Sequence, residues 1–364
     1  MDDARVFHRA CVSLAKAGFD VHLIATGTNH QNGQYREKEV TVHPLPQEDR
    51  LRRLARSGRV ARLAASLKPD LFHVHEPELL APVIRVAGNR PVIWDVHESY
   101  LDIVTQRDWI PKPLRPTVRV LWDLKERRLL RRCAGVVAVT DRVADRYRRL
   151  HRHVVVVSNY PNLDAFQGLP ETARDGRTCV FAGMIAPDRG LLEVITALGL
   201  LKQRGVAVPL TLAGACPSEY MAELLAEAQR LGVGELVTYH GVLSKKEAIS
   251  FQNRASIGLV TYLPVANSMA SMANKLSECM ALGLPVIYSD FPNYRDVAGE
   301  SGAGIAVDPT NPEQIASAIA RLIRAPDQAR EMGEAGKQAV AKTFNWSTQF
   351  AGMLQLYRTV MRAA

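Results

Sequence analysis

The sequence predicts an α/β protein of two open, doubly wound domains that face each other across a cleft, the first domain lacking its opening strand. Three observations predict it. Short β-branched runs alternate with amphipathic helical stretches along nearly all 364 residues, the pattern of parallel sheets covered on both faces. The alternation restarts after a stretch rich in Gly, Pro and polar residues at Gly168–Gly176, which reads as a linker. The chain opens on a helical pattern, without the strand and glycine turn that begin such a domain. A ligand then belongs at the carboxyl ends of the strands, in the cleft.

Taken in order, a helix from about Asp3 to Ala17 closes at Gly18, and Asp20–Ala25 forms a strand. Asp70–Val74 is a strand, about Glu78–Ala87 a helix, and Pro91–Val96 a strand. Leu114–Cys133 is a long basic helix. Gly135–Thr140 is a strand, Asp141–Leu150 a helix and Val154–Ser158 a strand, which ends in an Asn-Tyr-Pro-Asn turn at 159–162. The second half places strands at Thr178–Ala182, Pro209–Ala213, Val237–Tyr239, Ile257–Val260, Pro285–Tyr288 and Gly304–Val307, with helices between them. Helices near Pro312–Arg324 and Asp327–Thr343 follow. The closing stretch, with Trp346, Phe350, Leu354 and Tyr357, has helical apolar spacing.

Composition is that of a globular chain with a large core: 47% apolar and 23% charged. No apolar run is long enough to span a membrane, and the charged first twenty residues do not read as a signal peptide. Five scattered cysteines without a C-x-x-C pair point to reduced, buried thiols in the cytoplasm and away from a zinc site. The net charge of +9 lies wholly in the first half: through Ala165 there are 28 Lys and Arg against 19 Asp and Glu, and beyond it 18 against 18. Arg50–Arg62, Lys125–Arg132 and Arg142–Arg152 carry most of it. Such runs suit an anionic membrane surface or a lipid-phosphate acceptor; ordinary solvated helix faces are the alternative. No aromatic-interleaved basic strand suggests nucleic acid.

Two stretches carry the chemistry. In Phe181–Gly190, FAGMIAPDRG, an apolar strand runs into a loop ending in Arg-Gly, and an amphipathic helix follows. Unpaired N–H groups, a positive dipole end and the Arg189 fork then converge on one point, which suits a phosphate or diphosphate; an ordinary strand-to-helix connection with a solvated Arg is the alternative. In Asn274–Asp290, NKLSECMALGLPVIYSD, Asn274 reads as a helix cap. Lys275 and Glu278 lie one helical step apart, placed for a phosphate and for two ribose hydroxyls; a local Lys–Glu surface pair is the alternative.

These stretches, with LAG at Leu212–Gly214 and VTYHG at Val237–Gly241 between them, resemble in order the donor domain of glycosyltransferase family 4. The first half agrees through DLFHVHEPELL, VIWDVHE and VVSNYPNLDAF. The resemblance implies a GT-B fold: a Rossmann-like acceptor domain at residues 1–167, a Rossmann-like nucleotide-sugar domain at 168–344, and a C-terminal helix at 345–364 packing back on the first. It implies a retaining transferase that uses a nucleotide-diphosphate sugar, UDP or GDP type, and a glycan or lipid-linked acceptor. Arg189 matches the basic residue that holds the donor diphosphate, with Gly183, Met184, Gly190 and Gly214 in the surrounding loops. Glu278 matches the second Glu of an E-x7-E element, the ribose ligand, with Asn274, Lys275 and Leu276 beside it. His240, Gly241 and Val242 resemble the nucleobase loop. His75 matches the histidine near the transferred sugar, and His97 and Glu98 an acceptor-side step; His73 reads as a core or strand histidine, which is also the alternative for His75 and His97. Met184 replaces a second diphosphate Arg and Ala270 replaces the first Glu, so sugar contacts fall to Ser268, Ser271, Asn274 and nearby N–H groups.

The expected chemistry uses no metal, since no carboxylate triad or His/Cys cluster is evident in the sequence. Charge grows on the departing nucleoside diphosphate, where Arg189, Lys275 and two helix N-termini stabilise it. A catalytically impaired relative and a nucleotide-sugar epimerase of the same fold are the alternatives.

Overall fold

The computed structural model describes residues 5–26, 33–46, 50–98, 100–101, 110–265, 268–269 and 272–363. The chain forms two compact units: Met1–Asn159 with Gln349–Ala364, and Tyr160–Thr348. The division falls at 159/160 and 348/349, where the sequence placed it at 167/168 and 344/345. The reason is packing. Buried Tyr160 belongs to the core of the second unit, and Leu163 and Phe166 pack against that core.

In the first unit, a π-helical turn at Val6–Cys11 runs into helix α1 (Val12–Lys16), in place of one continuous α-helix. Strands β1 (Val21–Thr26), β2 (Tyr35–Glu37) and β3 (Val40–Leu45) form a three-stranded sheet, ordered β1-β3-β2. The β2–β3 hairpin escapes a sequence reading because Lys38 and Glu39 take its positive-φ positions, where Gly or Asn usually signals the turn. Helix α2 (Arg50–Ser66), noted above only as a basic run, follows. Strands β4 (Phe72–Val74), β5 (Val92–Val96), β6 (Gly135–Ala138) and β7 (Val154–Val156) form a separate parallel sheet in sequence order. Helices α3 (Pro77–Ala87), α4 (Arg115–Leu130) and α5 (Asp141–Arg148) connect it. Trp94, Tyr147, Leu80 and Leu130 fill its core.

β1 and β4 are edges of different sheets, and a cavity of about 610 Å³ is lined by both. Every residue of β1 and β4 borders this space, as happens when strands present their backbone edges.

The second unit carries one six-stranded parallel sheet in the order β10-β9-β8-β11-β12-β13: β8 (Cys179–Ala182), β9 (Leu210–Ala213), β10 (Val237–Tyr239), β11 (Ile257–Val260), β12 (Val286–Ser289) and β13 (Gly304–Val307). The strands read as unbroken apolar runs because both faces are covered. Covering helices include α6 (Leu191–Gln203), α7 (Ser218–Arg230), α8 (Lys245–Asn253), α9 (Asn274–Ala281), α10 (Pro312–Arg324) and α11 (Pro326–Lys342). The last helix, α12 (Trp346–Arg362), belongs from Gln349 onward to the first unit, where Tyr357 meets His73 and Leu356 packs against Gly135. No described helix is long and apolar enough to cross a membrane.

Candidate active site

In the second unit, strand order brings three glycine loops together at the carboxyl ends of β8, β9 and β10. Gly183 N donates to Ala213 O at 2.7 Å, and Gly214 N to Gly241 O at 2.7 Å. Tyr239 Oη donates to Gly214 O at 2.8 Å. Gly183 and Gly214 have φ of 130° and 133°, and a Cβ on Gly214 would lie 2.0 Å from Gly183 O. A Cβ on Gly183 would overlap Lys275 Cε and Nζ at 2.5 Å, so the missing side chain is what lets Lys275 reach this strand end.

Lys275 and Arg189 meet on one aromatic ring. The Arg189 guanidinium stacks 4.2 Å above Tyr262, and Lys275 Nζ donates to Tyr262 Oη at 2.8 Å. Lys275 Nζ also lies 4.8 Å from the Phe181 ring centre. The aromatic faces hold two like charges together where direct approach would be repulsive. Tyr262 is fixed in turn: buried Ser289 donates to its carbonyl at 2.7 Å. Arg189 pairs loosely with Asp188 at 3.3 Å, while its Nε is buried without a partner. Gly190, at φ 70°, begins α6 with no side-chain cap; a Cβ there would meet Thr261 O at 2.0 Å.

Asn274 is not the cap expected from the sequence. Ala273 holds that position and offers no side chain, so the first N–H groups of α9 go uncapped, and Asn274 Oδ1 is buried without a partner. Ser268 Oγ is likewise buried and unpartnered. Unsatisfied buried polar atoms are costly, and those of Arg189 itself and of Asn274, next to Lys275 in the chain, fit a site built around a polar ligand. The Lys275–Glu278 pair does not form, since Lys275 turns to Tyr262. Half-buried Glu278 makes no hydrogen bond or ion pair among the described residues, and Leu276 is fully buried in the core. Met184 and Val242 are exposed, and His240 packs edge-on to Phe251 at 4.9 Å. Ser271 and Ala270 lie outside the described residues.

The first unit holds a second cluster, at the ends of β4 and β5. The parallel register pairs Val74 with Trp94, which sets His75 beside Asp95. Period two then puts His73, His75, Asp95 and His97 on one face. Asp95 Oδ2 lies 3.5 Å from His73 Nε2, 3.3 Å from His75 Nδ1 and 3.6 Å from His97 Nε2. His75 Nδ1 and His97 Nε2 are 3.1 Å apart. Arg5 bonds the other carboxylate oxygen at 2.8 Å, and also Val157 O at 2.6 Å. Burial raises the Asp95 pKa, but Arg5 and the three imidazoles outweigh it and hold the carboxyl well below its ordinary range. Burial, then the neighbouring His73, pushes His75 down to about 4 against the opposing pull of Asp95, so it is neutral at pH 7.

This cluster corrects two expectations. His73 is not merely a core histidine: its Nδ1 meets Tyr357 Oη at 2.6 Å while Nε2 faces Asp95. Likewise, a group with metal-ligand chemistry does exist, because His73, His75 and Asp95 place their donor atoms within 4.8 Å of one another. The rings of His73 and His75 stack at 4.5 Å with planes 22° apart, so their in-plane lone pairs run side by side rather than converging. Glu98 is exposed and outside the cluster. Sequence reasoning missed Asp95, Arg5 and Tyr262. The legible signal for Asp95 was D-x-H at 95–97 following H-x-H at 73–75, two period-two pairs at successive strand ends.

Two family models match in tandem: a glycosyl transferase 4-like domain over residues 4–160, and glycosyl transferases group 1 over residues 169–339. An α-D-kanosaminyltransferase of Streptomyces kanamyceticus is 26% identical over 65% of this chain and 63% of its own length, just under two thirds of that relative. A phosphatidyl-myo-inositol mannosyltransferase of Mycobacterium leprae is 26% identical over 87% of this chain and 82% of its own. A sucrose-phosphate synthase structure from Thermosynechococcus elongatus superposes with a TM-score of 0.74 at 17% identity, covering 97% of this chain and 92% of that one.

Proposed function

Because the chain belongs to the group 1 glycosyl transferases with a 4-like N-terminal domain, we propose that it transfers a sugar, with retention at the anomeric carbon, from a nucleoside-diphosphate donor of the UDP or GDP type to a hydroxyl of a glycan or lipid-linked acceptor. Polysaccharide or glycoconjugate synthesis in the cytoplasm, at the inner face of an anionic membrane, is the setting this reading implies. One observation carries it: Arg189 and Lys275 are held against Tyr262 beside three glycine loops and the uncapped starts of α6 and α9.

In this reading the donor diphosphate lies on those two cations and the two helix N-termini. Charge develops on the diphosphate as the bond to the anomeric carbon breaks, and fixed positive groups stabilise it without reorganising. No divalent ion is then required. The sugar passes through an oxocarbenium-like state, and the acceptor oxygen attacks from the face the diphosphate leaves, its proton passing to the departing diphosphate oxygen. Glu278, with a free carboxylate one helical turn past Lys275, accepts the ribose hydroxyls. Neutral His75 serves the sugar as a hydrogen-bond partner without adding charge, and His97 lies on the acceptor side. The mannosyltransferase relative, whose name specifies a phosphatidylinositol acceptor, supports an acceptor of the lipid class.

The test is release of nucleoside diphosphate from a panel of sugar nucleotides, with EDTA present and absent. Turnover that Arg189→Ala lowers and EDTA leaves intact is expected. Donor binding without transfer or hydrolysis on any acceptor would favour the impaired-relative reading.

A further inference from the structure

The basic helix α4 has an unusual surface. Leu114, just before it, and Val120, Leu121 and Leu124 within it are 54%, 57%, 61% and 59% exposed. Their spacing puts them on one side of the helix over about 15 Å of its length. Scattered exposed leucines need no explanation, but an aligned stripe of them does.

The charges around this stripe are sorted by sign. The acids of α4, Asp123 and Glu126, both turn to Arg146 of α5, and Glu126 is buried and also accepts from Tyr147 Oη at 2.8 Å. Exposed Lys112 lies at the start of the stripe, and exposed Lys125 and Arg128 at its far end. Among the described residues, the outer face of α4 therefore offers aliphatic side chains and cations with no carboxylate of the helix among them. Water solvates the cations but not the leucines. Nucleic acid would pair the cations and leave the leucines idle. The interface of an anionic bilayer satisfies both, taking up the apolar side chains among the acyl chains and the cations among the headgroups.

We infer that the exposed face of α4, centred on Leu121 and Leu124, is the surface by which this protein lies on an anionic lipid bilayer. The inference rests on the membrane setting proposed above and assigns that role to one helix rather than to the basic first half at large. In Arg142–Arg152, two of the five arginines, Arg146 and Arg148, are already paired with Asp123, Glu126, Asp141 and Asp145.

The experiment is co-sedimentation of the whole chain with vesicles of phosphatidylglycerol and phosphatidylcholine in equal parts, at low salt. Wild type is compared with the double variant Leu121→Glu, Leu124→Glu and with Lys125→Glu, Arg128→Glu. Both should partition at least about tenfold more weakly than wild type, the scale expected from reversing two surface charges or losing two apolar anchors. Hydrolysis of a soluble sugar nucleotide and thermal unfolding should be unchanged. Undiminished binding by both variants overturns the assignment to α4 while leaving the membrane reading in place. Failure of the wild type to bind at all overturns the membrane reading itself. Sedimentation velocity without vesicles supplies the other arm: an oligomer that the leucine variant dissociates, with vesicle binding intact, would show that a second copy covers this face, and would also overturn the assignment.

Discussion

At the scale of single residues, Tyr262 organises the donor site. It touches both proposed phosphate ligands, yet no motif marks it. Tyr262→Phe keeps the ring under Arg189 and loses the hydroxyl that Lys275 bonds. It should weaken nucleoside-diphosphate binding by about 0.5–1.5 kcal/mol, two- to tenfold. Tyr262→Ala removes both supports and should cost more, on the scale of about 1.5–3 kcal/mol expected of Arg189→Ala itself. Calorimetric titration with UDP and GDP measures both; equal affinities in all variants would remove the pair from the site. Gly190 offers a different test. Its φ of 70° and the 2.0 Å approach of Thr261 O leave no room for a methyl group. Gly190→Ala should destabilise the second unit by about 1–3 kcal/mol, read from its urea transition.

At the scale of elements, the facing ends of β4 and β5 create an acid-sensitive joint. His75 titrates at about 4 when folded and near 6.5 when unfolded, so between those values the unfolded chain binds more protons. Stability is therefore full above about pH 6.5 and declines toward pH 4, by on the order of 2–3 kcal/mol from this group. The Asp95 carboxyl, held low by Arg5 and the imidazoles against its burial, adds a loss at still lower pH. Urea midpoints between pH 7 and 4.5 should fall in the wild type and fall less in His75→Asn. An equal slope in both would locate the titration elsewhere. The same elements show why sequence reading stopped short. H-x-H and D-x-H are unremarkable alone, and only the β4–β5 register makes them one cluster. By contrast, FAGMIAPDRG and NKLSECMALGLPVIYSD announced themselves, because glycine, a basic residue and a helix start must be near one another in sequence to form a phosphate-binding turn.

At the scale of the whole molecule, the open slot between β1 and β4 is the largest departure from a closed α/β unit. Its two walls are unpaired strand edges with apolar neighbours such as Phe7, Leu23 and Phe72. An apolar, β-branched peptide added in excess should pair with these edges and raise the Tm of the first unit, at about 2–4 °C per kcal/mol gained. Calorimetry compares it with a peptide of the same length carrying alternating Asp, which should give no rise.

What the sequence determined by itself is whatever depends on neighbours along the chain: the alternation of strands and helices, the phosphate-binding turns, the excess of cations before residue 165 and the family resemblance. What tertiary structure decided is whatever depends on residues that meet across space. Pairing of β4 with β5 made a histidine–aspartate cluster, aromatic stacking turned Lys275 from Glu278 to Tyr262, and salt bridges from Arg146 hid the acids of α4 and left its outer face cationic. The physical reason is that periodicity fixes which way a side chain points, whereas its partner, and so its chemistry, is fixed only when separate elements pack.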